Sequence, residues 1–176
     1  MASTVLRKPA SSSSDPESRL NDADHAALKL WLRLLTCTTL IERRIRAGLH
    51  RQFKMTLARF DLMAQLARAP EGLKMGELSR RLMVTGGNVT GLTDQLVTEG
   101  LVERNAIPGD RRAYAVRLTA KGKRAFDAMA AEHERWIVKL LSGMPAADRE
   151  RLHALLGRMK AVLGESAVAH TEEGKR

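Results

Sequence analysis

The run from Thr85 to Thr119 constrains the fold more than any other part of the chain. It opens on Gly86-Gly87, carries Val89, Leu92 and Leu96 at helical spacing, and reaches Gly100. A short strand then leads into Ile107-Pro108-Gly109-Asp110, followed at once by Arg111 and Arg112, and a return strand closes on Leu118-Thr119. Pro108 presets φ for the second position of a turn, and Gly109 supplies the positive φ that a type II turn requires at the third. The hairpin tip is therefore placed by turn chemistry. Along the return strand Tyr114, Val116 and Leu118 alternate with Ala113, Ala115 and Arg117, the period-two pattern of a strand with one buried and one wet face. Thr119 is a cap for the next helix. A helix followed by a hairpin with two arginines at its tip suits duplex DNA, the helix in one groove and the hairpin in the next.

The charge balance agrees with a polyanionic partner: 30 Lys plus Arg stand against 20 Asp plus Glu, a formal net charge of +10 over 176 residues. No apolar run approaches the ~20 residues that span a bilayer, so no membrane role is expected. The first residues lack an apolar stretch of the kind a secretory signal needs. Cys37 is the single cysteine, which rules out an intrachain disulfide or a two-cysteine metal knuckle, and a cytoplasmic setting is expected.

Hydrophobic periodicity divides the rest of the chain. Residues 1–22, rich in Ser, Pro and charge and including Ser11 to Ser14 in a row, read as a flexible arm. Residues 23–55 read as a helix that is apolar nearly all round between Leu28 and Ile41, through Leu30, Trp31, Leu32, Leu34, Leu35 and Leu40. The helices downstream are too few to surround it, which assigns its cover to a second copy of the chain and predicts a homodimer. Residues 56–119 form the DNA-binding lobe: a helix over Leu57 to Ala67 capped by Thr56, a short helix over Met75 to Leu82, a tight turn, and the Thr85 helix with its hairpin. Residues 120–164 hold two long helices, Ala120 to Leu141 and Ala146 to Leu163. The second carries Leu152, Leu155, Leu156, Met159, Val162 and Leu163 on one stripe, and 165–176 read as a flexible tail. The expected fold class is mainly α with a small β-wing, a winged helix-turn-helix flanked by N- and C-terminal dimerisation helices.

Asp110-x-Arg112 followed by Val116-x-Leu118-Thr119-x-Lys121-Gly122 resembles the signature of the MarR family of bacterial winged-helix transcription regulators. The run Val84-Thr-Gly-Gly-Asn-Val-Thr-Gly-Leu92, with Leu96 and Glu99-Gly-Leu-Val-Glu-Arg104, is similar to that family's recognition helix and first wing strand, and the likeness extends over residues 25 to 163. It implies a homodimer with two winged lobes on a pseudo-palindromic double-stranded DNA operator, and repression relieved by a small ligand.

The residue chemistry points the same way. In the Thr85 helix Val89, Leu92 and Leu96 share the core face, which turns Gly87, Thr90, Gly91 and Asp94 outward. Asn88 suits an adenine edge, and Thr90 a phosphate or a thymine methyl. Gly86, Gly87 and Gly91 each cost up to about 1 kcal/mol against alanine. Either bare backbone lets the helix approach phosphate or the groove floor, or Gly86 and Gly87 merely open the helix and Gly91 permits close packing. Arg111 and Arg112 at the wing tip suit a narrow minor groove, Arg112 carrying more weight, with Asp110 orienting them. Lys74, Thr85 and Arg104 complete the candidate DNA-binding set, and Arg80 and Lys121 are further phosphate candidates. From Lys74 to Arg124 ten basic residues face five acidic ones.

Between Arg43 and Lys54 five cations, Arg43, Arg44, Arg46, Arg51 and Lys54, meet no acid. The resemblance implies a ligand cleft where the first helix meets the second and the DNA-binding lobe, which makes Arg46, His50, Phe53, Phe60 and Met63 candidates for an effector pocket that joins apolar walls to a cationic clamp, fitting an aromatic carboxylate or an acyl-CoA thioester. The alternative is a solvated face or one that hugs DNA phosphates. A redox role for Cys37 competes with that of a buried packing cysteine, and its threonine neighbours favour packing. His25, His50, His133, His153 and His170 are scattered, so no metal or cofactor is expected, and no nucleophile with a nearby base is evident, so neither is enzymatic activity. Two function classes remain: a ligand-controlled regulator, for which base-reading side chains argue, and an architectural DNA binder without a switch.

Overall fold

The structure, a computed structural model, describes residues 25–83, 85–107 and 110–173, with side chains omitted for 107, 110–113 and 165–173. The expected arm over 1–22 and the Pro108-Gly109 turn lie outside the described residues. Among the described residues six helices and three strands follow one another as α1 (Ala26–Phe53), α2 (Leu57–Ala67), β1 (Leu73–Lys74), α3 (Met75–Leu82), α4 (Gly86–Thr98), β2 (Val102–Ile107), β3 (Asp110–Leu118), α5 (Ala120–Leu141) and α6 (Ala146–Glu173). The chain is mainly helical with a small antiparallel sheet, as the sequence patterning predicts. The last helix runs to Glu173, ten residues beyond its expected end at Leu163, with no Gly-Pro break to stop it.

Helix ends follow local chemistry. The Thr56 hydroxyl accepts a hydrogen bond from the Arg59 N–H at 3.3 Å and starts α2, a cap worth about 1 kcal/mol. α1 and α3 stop at residues in the left-handed region, Lys54 (φ 52°) and Met83 (φ 54°), each closing back on the carbonyls of the preceding turn.

The core gathers one face from each element of the lobe: Phe60, Leu62, Met63 and Leu66 from α2, Leu78 from α3, Val89 and Leu96 from α4, and Val102 and Val116 from the sheet. Ile45 and Leu49 of α1 and Met129 of α5 join it. The sheet order is β1-β3-β2. β2 and β3 pair from Val102 with Leu118 out to Ala106 with Tyr114, and an irregularity after Ala106 brings Ile107 opposite Asp110. The expected alternation holds at Val116, which is fully buried, but Tyr114 is half exposed, because the hairpin by then projects past the helices that cover its base.

The crossing between the end of α4 and the start of α5 fixes the lobe. Thr119 accepts from the Gly122 N–H at 2.9 Å and donates its hydroxyl to the Gly100 carbonyl at 2.8 Å, while its own N–H meets the Leu101 carbonyl at 3.1 Å. The Lys121 ammonium caps the Glu99 carbonyl at 2.8 Å. A Cβ on Gly122 would lie 1.8 Å from the Leu101 carbonyl oxygen, so only glycine lets α5 cross there. Thr119, Lys121 and Gly122 of the signature thus act as one clasp.

Outside the lobe two apolar surfaces are bare. On α1, Leu28, Leu30, Trp31, Leu35 and Leu40 are exposed; on α6, Leu152, Leu155, Leu156, Val162 and Leu163 are exposed. Gly122→Ala is expected to destabilise the fold by about 3 kcal/mol, the upper range of overpacking, read as a fall in the denaturant midpoint of unfolding at unchanged slope.

Candidate nucleic-acid interface

α4 presents the outward face that its periodicity predicts. Val89 and Leu96 are fully buried with Thr93, whose hydroxyl donates to the Val89 carbonyl at 2.8 Å, while Thr85, Gly87, Asn88, Thr90 and Gly91 are all exposed. Thr85 is the residue before the helix in extended conformation, but its side chain makes no capping bond, so the N–H groups of the first turn stay open. Thr90 returns its hydroxyl to the Gly86 carbonyl at 3.0 Å. A Cβ built on Gly86, Gly87 or Gly91 would meet nothing within 4 Å. Close packing is therefore not what these glycines serve. They leave a strip of bare backbone facing outward.

Beside this face a depression of about 570 Å³ is lined by Lys74, Met75, Gly76, Thr90, Asp94, Arg104 and Tyr114. It brings Lys74 at the start of α3, Thr90 on α4 and Arg104 on β2 onto one surface. The Arg104 guanidinium is held by the Asp94 carboxylate, which ties the wing strand to the helix and leaves Arg104 only partly free for phosphate. Arg117 donates to Glu103 at 2.6 Å across the hairpin, and this bond, followed by one from Asn105, holds the Glu103 carboxyl below its ordinary value. The backbone of Arg111 and Arg112 follows Asp110 into β3; their side chains lie outside the described residues.

The candidate effector residues do not converge. Met63 has no exposed surface and belongs to the core, because it lies on the inner face of α2. Arg46 is exposed and paired with Glu42 at 2.9 Å, His50 is exposed, and Phe53 packs against the core. Phe60 lines a cleft of about 430 Å³ between α2, α3 and α5 that also includes Asp61, Arg68, Arg81, Phe126 and His133. There Phe60 stacks on Phe126 at 5.6 Å between ring centroids and lies 5.2 Å from His133. Burial first, then the charge of Glu42, pushes the Asp61 carboxyl above its ordinary value of 3.8, against the pull of His133 and Arg46. A second cleft, of about 410 Å³, lies between α1 and α5 and is lined by Arg44, Gly48, Arg51, Trp136, Lys139 and Leu140. The Trp136 ring occupies the room that a Cβ on Gly48 would need, 2.8 Å away.

Three comparisons bear on what this face is. The model of the MarR family matches residues 53–113. The HTH-type transcriptional regulator PecS of Dickeya dadantii is 30% identical over 111 residues, which span 62% of this chain and 67% of PecS. A MarR family transcriptional regulator from Silicibacter pomeroyi superposes with a TM-score of 0.67 at 33% identity, over 81% of this chain and 99% of that one.

The chain belongs to the MarR family.

It is accordingly a DNA-binding transcriptional regulator. Its fold also matches that of Sco3205 from Streptomyces coelicolor, a MarR family regulator solved in complex with DNA, with a TM-score of 0.68 at 22% identity over 81% of this chain and 89% of that one. Among the described residues no helix is long and apolar enough to cross a membrane.

Within this MarR-family chain, sequence reasoning missed three residues that organise the interface. Asp94 was legible as outward-facing but not as the partner of Arg104. Tyr114 was assigned to the buried face, and Arg59, read only as part of α2, is buried against Glu99. All three depend on contacts between elements, which spacing within one element does not encode. The Lys121 ammonium, a candidate for phosphate, instead caps α4. Cys37, expected as a packing residue, is exposed in the single chain, because the first half of α1 extends beyond the lobe and none of the described residues covers it.

Gly91→Ala is expected to stabilise the fold by up to about 1 kcal/mol through helix propensity, yet to weaken DNA binding by about 1 kcal/mol or more, as thermal melts and gel shifts on one preparation would read. For Asp61 the sign is fixed by linkage: a carboxyl that binds its proton more tightly in the folded chain loses stability as pH rises from 3.8 through the raised value. Asp61→Asn should therefore raise the melting temperature at neutral pH and flatten its fall as pH rises above 3.8. Equal melting temperatures of wild type and variant at pH about 7 would show that burial costs this carboxylate nothing.

Proposed function

We propose that the chain is a homodimeric, ligand-responsive repressor that places one α4 in each of two successive major grooves of a pseudo-palindromic operator and one wing in each adjacent minor groove. The observation that carries this reading is the outward strip of α4, where Asn88 and Thr90 stand beside glycines with nothing above them. Side chains able to read base edges, set on backbone able to come close, are the equipment of a sequence-specific helix. An architectural binder would need apolar wedges on the wing instead.

The bare surfaces of α1 and α6 support the dimer. Ten large apolar side chains, Trp31 among them, exceed what single chains ordinarily leave in water. A second copy meeting them through a two-fold axis would cover both surfaces at once and set the spacing of the two reading helices.

Charge chooses between the two clefts for the effector. The α1–α5 cleft offers Arg44, Arg51 and Lys139 around the Trp136 ring with no carboxylate in its lining, whereas the α2–α5 cleft holds Asp61. An aromatic carboxylate or a CoA thioester, an anion with a flat ring, is better served by the first. This moves the proposed site from Arg46, His50, Phe53, Phe60 and Met63 to Arg44 and Arg51 on α1 and Trp136 and Lys139 on α5.

The test uses a duplex enriched by the wild-type protein from a randomised library. Binding should fall steeply with salt, by a slope of roughly 0.9 per phosphate neutralised, and Arg112→Ala should cost about 1 kcal/mol and flatten that slope. Calorimetry with a panel of phenolic acids and their CoA thioesters should give heats that Arg51→Ala abolishes. An enriched pool with no preferred sequence would favour the architectural role, and silence across the panel would remove the effector.

A further inference from the structure

Arg59 is placed where its charge is least welcome. It occupies the third position of α2, after Leu57 and Ala58, where the helix dipole is positive and repels a cation. Its side chain is nine-tenths buried, and among the described residues its Nε is the one buried side-chain nitrogen without a hydrogen-bond partner. Burial, dipole and an unmet donor all count against it. Its partner is Glu99, whose carboxylate receives the guanidinium across forty positions of sequence. Glu99 is also at the wrong end of its helix: it closes the C-terminus of α4, where the dipole is negative. Each charge opposes its own helix and is tolerated because of the other.

A pair so poor at stabilising its own elements is informative about what it holds in place. The carbonyl of the same Glu99 takes the Lys121 ammonium, and the next carbonyl, of Gly100, takes the Thr119 hydroxyl. The clasp at α5 thus grips α4 by its backbone from one side, and Arg59 grips it by its side chain from the other. α4 is 13 residues long, about 20 Å at 1.5 Å per residue, so a small tilt at Glu99 displaces Asn88 and Thr90 at the far end by a larger amount. We infer that Arg59 is a positioning residue for DNA reading: through Glu99 it sets the angle at which α4 leaves the lobe, and with it the register of Asn88 and Thr90 on the bases. This inference rests on α4 being the reading helix.

The consequence separates specificity from stability. Methionine in place of Arg59 fills similar space without a buried charge, and the carboxylate left behind, Glu99, is half exposed and keeps its water, so the change does not strand the buried charge that makes breaking such a pair costly. Arg59→Met is expected to keep or raise the melting temperature and to bind the enriched duplex about tenfold more weakly, while its affinity for a scrambled duplex of the same composition stays that of wild type. If the Met variant does not fold, Glu99→Gln, at the half-exposed end of the pair, carries the same comparison of the two duplexes. Asn88→Ala runs beside both. Loss of specific binding in Asn88→Ala with wild-type specificity in the variants of the pair would overturn the positioning role and leave the reading helix standing. Wild-type specificity in all of them would instead remove α4 as the reader. A fall in affinity for both duplexes alike, in step with the melting temperature, would assign Arg59 to stability alone and also overturn the inference.

Discussion

At the start of α5 the chain crosses itself so closely that no side chain fits between. The Leu101 carbonyl lies where a Cβ on Gly122 would be, and Thr119, on the last step before the helix, bonds in both directions, to Gly100 behind and Gly122 ahead. This crossing joins the end of α4, the first strand of the wing and the root of α5 at one point. A helix that reads DNA has to be rigid with respect to whatever carries its partner helix, and α5 is the element that runs from the lobe toward the bare surfaces of α1 and α6. On the proposed dimer the short distance would couple reading to assembly mechanically, through hydrogen bonds from Thr119 and Lys121 to the backbone that are individually worth about 1 kcal/mol.

The same crossing explains why the sequence was readable where it was. Thr119 and Gly122 carry their constraint in their identity: a capping hydroxyl and a missing Cβ have few other uses at that spacing. Helix bounds at Leu57, Ala67, Met75, Leu82, Ala120 and Leu141 were likewise legible, because Thr56, Pro70, Gly72 and Thr119 act on the chain next to them. The outward face of α4 followed from Val89, Leu92 and Leu96, of which Val89 and Leu96 are fully buried and Leu92 partly so. What the sequence concealed lies between elements. Nothing in the spacing of Arg59 announces Glu99, and nothing in that of Asp94 announces Arg104. Tyr114 obeyed the alternation of its strand and still lies half exposed, since alternation says which face a residue is on and not how far the helices beneath extend.

The effector candidates lie apart for a related reason. Arg46, His50, Phe53, Phe60 and Met63 were grouped because the family resemblance implies a cleft where the first helix meets the second, but a helix turns 100° per residue, and the five are placed in several directions. Met63 turned inward with Leu62 and Leu66, Arg46 found Glu42 one turn away, and Phe60 joined Phe126 and His133 in a different cleft. The cationic character of the segment survives in Arg44 and Arg51, which share a face with Gly48. There glycine performs a packing role, admitting the Trp136 ring to the surface of α1, and the ring and the arginines come together because that one side chain is absent.

Glycine thus acts in opposite senses along this chain, and only the surroundings tell them apart. At Gly122 and Gly48 the missing side chain is replaced at once by a carbonyl or an indole; at Gly86, Gly87 and Gly91 it is replaced by nothing. A solvent-facing glycine within a helix lowers stability without improving packing, so its retention on the face that carries Asn88 and Thr90 has to be accounted for by something absent from the free chain. Duplex DNA, whose groove floor rewards close backbone approach, supplies such a reason. The buried Arg59 belongs with these glycines: the lobe holds features that weaken it as an isolated fold, and these converge on α4, the helix proposed to meet the bases.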